Sequence, residues 1–274
     1  MSNTGHSSTY LLGSSDAEYE RLVRQAELFE PFTRRLFQNA GIGLGQRVLD
    51  IGCGVGDVSM LVARLVGPIG VVVGVDNDAN IIAKAKARAA EAGLPNVSFM
   101  ESEVGRIAGS EPFDAIVGRL ILQFAPNSGP VVSSLVKQLR PGGVLAIQEA
   151  YWDPFLNLTA HLPLRSRCAS LIHQAFERSG ANIDMELVLY RTFQLAGLPA
   201  PNMSIEIPVG ADPDFARWVH DLFCSLLPRL EQHHLAYDDV GNLDTLQQRL
   251  EDEASAAKTF GATIGLVGAW SRKR

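Results

Sequence analysis

Residues 47–57 of this chain read Arg-Val-Leu-Asp-Ile-Gly-Cys-Gly-Val-Gly-Asp, and this stretch restricts the possible folds more than any other. The apolar run from Val48 to Ile51, which carries one acid, has the length and branching of a buried strand. It breaks into Gly52, Gly54 and Gly56, and a helical pattern starts at Asp57. The stretch therefore reads as a strand, a bare turn and a helix N-terminus. Alternate glycines let the main chain approach a ligand and take dihedrals that a side chain forbids, and Asp50 at the strand end can receive a donor from that ligand. The expected occupant is a nucleotide-like cofactor.

Around this turn, apolar strands alternate with helical segments. Strands are predicted at 47–51, 71–76, 97–100, 113–117 and 144–148, with helices at 57–66, 79–92 and 131–139. Such alternation implies parallel strands, right-handed crossovers and helices on both faces, so the fold class is α/β with a doubly wound, mostly parallel sheet. Sheets of this kind bind ligands at the carboxyl ends of their strands. Asp50, Asp76, Glu101 or Glu103, and Arg119 all fall at such ends. An acid closing the second strand can accept both hydroxyls of a ribose. The plainer reading of Asp76, a helix N-cap, is weaker because Asn77 and Asp78 can serve as that cap.

The dinucleotide fingerprint Gly-x-Gly-x-x-Gly is met at Gly52 and Gly54, but its third position is Asp57. An acid there repels a pyrophosphate, which argues against NAD or FAD. No Gly-Lys-Ser/Thr follows the glycines, so a P-loop is excluded too. A nucleoside cofactor without phosphate remains.

At these residues the chain resembles the class I S-adenosylmethionine-dependent methyltransferases of small-molecule type. Residues 48–56 look like that family's first motif and Val73-Gly74-Val75-Asp76 like its second, which carries the ribose acid. Residues 99–104 are similar to the third, 113–117 to the fourth-strand motif, and Leu139-Arg140-Pro141-Gly142-Gly143-Val144-Leu145 to the turn into the fifth strand. The resemblance covers about residues 44–149. It implies S-adenosyl-L-methionine as cofactor, with S-adenosyl-L-homocysteine as product. Gly52, Cys53, Gly54 and Gly56 would pass the methionyl part, with Asp50 helping to receive its ammonium. Asp76 would hold the ribose, Asn77 the adenine face, and Glu103 with the Val104 amide the adenine edge. Arg119 and Gln123 would line the methyl-transfer channel. The family's frequent histidine near position 123 is Gln here, which removes an obvious base.

An N-terminal helical segment, residues 1–43, precedes the cofactor-binding core at 44–150. Within it a helix is predicted over 14–40, with a capping box at Ser15 and Glu18 and a kink or break at Pro31. It packs on the sheet from outside, and Tyr10, Arg21 and Gln25 are candidates to reach the cofactor cleft. Residues 151–274 supply the rest of the domain. A helix is read over 162–178, 182–196 is expected to pack on the sheet, and strands are read over 203–209 and 263–270. By the resemblance these strands complete a seven-stranded sheet as an antiparallel pair, with 212–258 inserted as a helical cap.

The acceptor is expected beyond Glu149, where Glu149-Ala150-Tyr151-Trp152-Asp153 makes an acidic and aromatic turn. Glu149, Tyr151, His161 and His173 are the candidate catalytic groups, although any single histidine is more often a surface or satisfied core residue than a base. No metal-ligand spacing is present. The formal net charge of -6 argues against nucleic acid as partner, as does Val117-Gly118-Arg119-Leu120 where amine-modifying nucleic-acid enzymes of the family carry Asn/Asp-Pro-Pro-Tyr. Three widely spaced cysteines, no apolar leader and no long apolar span lead to the expectation of a soluble, cytoplasmic protein, monomeric or homodimeric. The expected reaction is methyl transfer to an O, N or C nucleophile of a small molecule, a natural product of secondary metabolism being one class. A non-methylating reaction such as cyclisation or decarboxylation in the same pocket is the alternative.

Overall fold

The computed structural model describes residues 16–104, 111–125 and 127–274. Tyr10 and the Ser15 half of the expected capping box lie outside the described residues. Among the described residues there are nine strands: β1 (Arg47–Ile51), β2 (Val71–Asp76), β3 (Val97–Glu101), β4 (Phe113–Arg119), β5 (Leu139–Tyr151), β6 (Asn202–Glu206), β7 (Val209–Gly210), β8 (Gly261–Ala262) and β9 (Gly265–Arg272). Seven of them form one sheet in the order β3-β2-β1-β4-β5-β9-β6. β1 to β5 pair in parallel, and β9 runs antiparallel to both β5 and β6. The expected doubly wound, mostly parallel seven-stranded sheet is the observed one, including its antiparallel closing pair. Val48, Leu49, Ile51, Val72 and Val75 are all fully buried, because helices cover both faces of the sheet and leave its central strands no polar side.

β1 pairs with β2 on one side and β4 on the other, so the chain winds outward in both directions from this point. Ile51 stands opposite Gly118, which brings the ends of β1 and β4 level. The loops that leave them diverge, and a crevice opens between.

Helix α1 (Asp16–Asn39) runs unbroken through Pro31, contrary to the expected kink or break. Packing outweighs the missing amide, since Phe29, Leu36 and Phe37 are all buried within the molecule. The helix also ties to the sheet and to the cap. Thr33 Oγ1 lies 2.6 Å from Gln148 Oε1 of β5, and Arg24 Nε donates to Asp221 Oδ2 at 2.9 Å.

The helices between strands are α2 (Asp57–Val66), α3 (Ala79–Glu91) and α4 (Ser128–Gln138), followed after β5 by α5 (Asp153–Asn157), α6 (Pro163–Arg178) and α7 (Met185–Leu195). α7 buries Met185, Leu189 and Phe193 against the sheet, as expected for 182–196. The cap lies between β7 and β8 and contains α8 (Pro213–Ser225), α9 (Leu227–Gln232) and α10 (Leu246–Ala256). β7 and β8 pair with each other, Val209 opposite Ala262 and Gly210 opposite Gly261, in a two-stranded ribbon that the sequence pattern did not reveal. Among the described residues no helix is long and apolar enough to cross a membrane.

Candidate active site

A cavity of about 920 Å³ opens at the carboxyl ends of β1, β2 and β4 and extends under the cap. That is near the upper end of the roughly 300–1,000 Å³ usual for small-molecule sites, room for a cofactor and a second molecule.

One end is built by the glycine turn, and its three glycines do different work. Gly54 has φ 52, and a Cβ added there would meet nothing within 4 Å, so its bare backbone faces open space. At Gly52 an added Cβ would lie 2.4 Å from Ile121 Cδ1, and at Gly56 2.9 Å from Phe99 Cζ. Gly52 therefore also serves packing against the loop after β4. Gly56 is the N-cap of α2 and stands off the cavity wall, between Val55 and Asp57, which line it.

Asp76 and Asn77 line the same end, together with Cys53, Glu103 and Val104. The Asp76 carboxylate is aimed by the main chain. Its Oδ2 accepts the Gly54 amide at 3.0 Å and its Oδ1 the Asp78 amide at 3.2 Å, while burial pushes its pKa up. The N-cap of α3 is Asp78, whose side chain accepts from Asn80 and Ile81, so Asp76 is left for a ligand. The thiol of Cys53 is buried, and that burial holds it protonated.

Asp50 lies beneath the turn rather than on the cavity wall. It is 1% exposed, its Oδ2 accepts the Ser59 hydroxyl at 2.6 Å, and its Oδ1 has no partner among the described residues. Burial first, offset by Ser59 and Arg119, raises its pKa to about 7. The expected direct contact with a ligand ammonium is not what this placement provides. Asp50 instead supports the turn from below.

Arg119 sits inside β4, which continues to that residue, and lines the cavity. Its Nη1 donates to Thr33 Oγ1 at 3.2 Å, and burial lowers its pKa against the pull of Asp57, Asp50 and Glu30. Gln123 lines the wall with its Oε1 buried and unpartnered among the described residues. Gln25 also reaches the cavity, accepting from Arg21 Nη1 at 2.8 Å and from Trp218 Nε1 at 3.2 Å.

The four candidate catalytic groups do not line the cavity. Glu149 is fully buried, and its carboxylate accepts the amides of Ile121, Leu122 and Gln123 at 3.1, 2.7 and 3.4 Å. It organises the loop after β4 rather than meeting a substrate. Tyr151 donates to Asp153 Oδ2 at 3.2 Å, His161 is exposed, and His173 stacks edge-on behind Trp152 at 5.5 Å. Sequence periodicity cannot tell which face of a strand or helix meets the cleft when both faces are covered.

The far part of the cavity lies where the acceptor is expected, beyond Glu149, but most of its walls come from other segments. Trp152, Phe176, Phe124, Trp218 and Leu222 wall it, with Trp152 and Phe176 rings 4.9 Å apart. His233 is the one histidine lining the cavity among the described residues, and its Nε2 lies 3.1 Å from Ser179 Oγ. The aromatic turn that carries Trp152 and the apolar face of the cap that carries Trp218 are the sequence signals for this chamber.

A seven-stranded sheet with this order and a glycine turn facing an acid on β2 defines the class I methyltransferase fold. The chain belongs to the methyltransferase-domain family, whose model matches residues 43–194. It is 38% identical over 119 residues to a trans-aconitate 2-methyltransferase of Azoarcus sp. strain BH72, covering 42% of this chain and 44% of that one. The chain thus spans less than half the length of that curated relative. To aklanonic acid methyltransferase DauC of Streptomyces sp. strain C5 it is 30% identical over 181 residues, covering 61% and 81%. Among solved structures, the YcgJ protein of Bacillus subtilis superposes with a TM-score of 0.57 at 16% identity over 89% of this chain and 98% of that one. The cyclase SpnF does so at 0.53 and 18%, over 89% and 80%.

S-adenosylmethionine is the cofactor of this family, and the residues present fit it. Gly54 leaves the wall bare where a ligand passes, and Asp76 keeps lone pairs for a diol. Asp57, Asp76, Asp78 and Glu103 are the acids on the cavity wall, all at the turn end, which favours a cationic sulfonium and disfavours a pyrophosphate. Asp57 is paired with Arg88 Nη1 at 2.7 Å, so the turn stays intact despite that density of acid.

Proposed function

We propose that the protein transfers a methyl group from S-adenosylmethionine to an O, N or C nucleophile of a small molecule, within secondary metabolism. The observation that carries this reading is the continuity of the cavity from the glycine turn into an aromatic chamber under the cap. The bound cofactor supplies an activated methyl group on a sulfonium. Gly54, Asp76, Asn77, Glu103 and Val104 are the residues that would hold it, with Arg119 as the cation for its carboxylate. The turn and the cap exclude water, and Trp152, Phe176 and Trp218 orient the acceptor. Orientation of this kind supplies roughly 7–11 kcal/mol of a barrier, so the reaction does not depend on a strong base. Where the acceptor carries a proton, His233, the one histidine on the cavity wall among the described residues, is the candidate to receive it.

A cytoplasmic setting goes with this reading, since Cys53, Cys168 and Cys224 are free thiols. Incubation with methyl-labelled cofactor and metabolite extracts tests it, the expected result being label in a small-molecule product. Product formed without label, with the cofactor recovered unchanged, overturns transfer in favour of a non-methylating reaction.

A further inference from the structure

Thr33, Arg119 and Gln148 come from α1, β4 and β5, and the alternation of the sheet brings them together. Arg119 stands opposite Gln148 in the register of β4 with β5. Two residues back on each strand, Val117 and Ala146 pack with Leu36 and Phe37 of α1 in one buried cluster. Side chains two apart on a strand share a face, so Arg119 and Gln148 carry that face on toward the carboxyl ends. Thr33 lies one helical turn before Phe37 and so meets them.

Thr33 is fully buried and does not line the cavity. Its hydroxyl oxygen accepts from Arg119 Nη1 at 3.2 Å and lies 2.6 Å from Gln148 Oε1 and 3.1 Å from the Phe29 carbonyl. The hydroxyl has one proton, which the shorter contact takes, so its lone pairs are left for the guanidinium. Arg119 does line the cavity, and among the described residues this is its one hydrogen bond, a single donor of a five-donor fork. Asp57, Asp50 and Glu30 act on its charge, but each has its own hydrogen-bonding or ionic partner, Arg88, Ser59 and Arg34 respectively. Arg21 lines the same cavity, with its Nε and Nη2 on the Glu18 carboxylate at 2.7 and 2.6 Å and its Nη1 on Gln25. Its charge is matched within α1. The other arginines on the wall, Arg178 and Arg229, belong to α6 and α9 and not to the strand ends.

We propose that Thr33 is a positioning residue for the cofactor, its hydroxyl holding the Arg119 guanidinium at the cavity wall for the carboxylate of S-adenosylmethionine. This rests on the reading of Arg119 as the cation for that carboxylate. A guanidinium fixed before binding spares the ligand the loss of side-chain freedom that ordering a loose one entails, and its fork is then already turned for a carboxylate. The matched family model begins at residue 43, so this contribution comes from a helix outside it. α1 thereby tunes cofactor affinity as well as covering the sheet.

Calorimetry with S-adenosylmethionine and its decarboxylated form, ligands that differ only in the carboxylate, tests this. The wild type is expected to prefer the carboxylated ligand by about tenfold or more. Thr33→Val, which keeps the branching but removes the hydroxyl, should bind that ligand about three- to tenfold more weakly and the decarboxylated one as before. Thr33→Ala, which puts no methyl against Gln148, should repeat the loss, and Thr33→Ser should keep the preference. In the Arg119→Gln background Thr33→Val should cost nothing further. Equal losses for both ligands make Thr33 a packing residue only, and a preference left intact in the Val and Ala variants overturns the proposal; either way the cofactor reading stands. No preference in the wild type, or one that survives Arg119→Gln, removes Arg119 as the cation for the carboxylate and the proposal with it. A wild-type protein that binds neither ligand overturns the cofactor reading as well.

Discussion

The Glu149 carboxylate holds the Leu122 amide at 2.7 Å, so the last strand of the parallel set fixes the loop that leaves β4. Burial raises its pKa from the ordinary 4.5 to about 7, against the three amides it accepts. The folded chain therefore keeps a proton that the unfolded chain releases between those values. The contribution of Glu149 to stability is largest below about pH 4.5 and falls as pH rises through about 7. Glu149→Gln is expected to flatten that slope and cost at most about 1 kcal/mol, since its carbonyl still accepts two amides, whereas Glu149→Ala costs about 1–3 kcal/mol. Chemical denaturation across this pH range measures both. A loss of methyl transfer by about 10²-fold or more in a fully folded Gln variant would instead make Glu149 a proton-transfer group.

Asp76→Ala removes the acceptor for the Gly54 amide as well as the ligand hydrogen bonds. S-adenosylhomocysteine affinity should fall by about ten- to a hundredfold, and Asp76→Asn, which retains one acceptor oxygen, should fall less. Titration calorimetry on the two variants decides; equal and unchanged affinities would remove Asp76 from the site.

Gly52 and Gly54 separate packing from binding. Both have positive φ, so alanine strains either, but only at Gly52 does the new methyl collide, with Ile121. Gly52→Ala is expected to lose about 1–3 kcal/mol beyond that shared strain, seen as a lower Tm. Gly54→Ala should keep more of its stability and lose cofactor affinity, because its methyl occupies the open space.

His220 donates toward Asp221 Oδ1 at 2.9 Å, Asp221 also accepts from Arg24, and Cys224 Sγ lies 3.6 Å from His220 Nε2. The bond to Asp221, then the one to Cys224, raises the His220 pKa from 6.5 to about 10. A raised histidine stabilises fully below its unfolded value. The joint between α1 and α8 should therefore weaken as pH climbs from about 6.5 through about 10. Melting temperatures over that window should decline in the wild type and decline less in His220→Asn.

Much of the cofactor end was legible because its chemistry is local. Gly52, Gly54, Asp76, Glu103 and Val104 lie on strand ends whose period and punctuation are written into consecutive residues, and the structure brings them to one cavity. Asp50 and Gly56 belong to the same motif but lie off the cavity wall, a difference of placement that spacing does not carry. The acceptor end was opaque for a different reason. Trp152, Phe176, Trp218 and His233 come from four segments that meet only after the cap folds over, and each alone reads as core. Glu149, the acid singled out for that end, was drawn inward by three backbone amides that needed an acceptor.

The ribbon of β7 and β8 brings residues 210 and 261 side by side, both backbones pressed on Phe215, so the cap leaves and rejoins the sheet domain through a single pinned neck. With its ends already held together, the length of the intervening segment weighs little on the free energy of the sheet, since each doubling of a closed loop costs only about 0.6 kcal/mol. Insertions within the cap therefore weigh little on the glycine turn and Asp76, provided that α8 keeps its packing on α1 and α6. A chain built this way can trade one acceptor chamber for another while its cofactor chemistry stays constant.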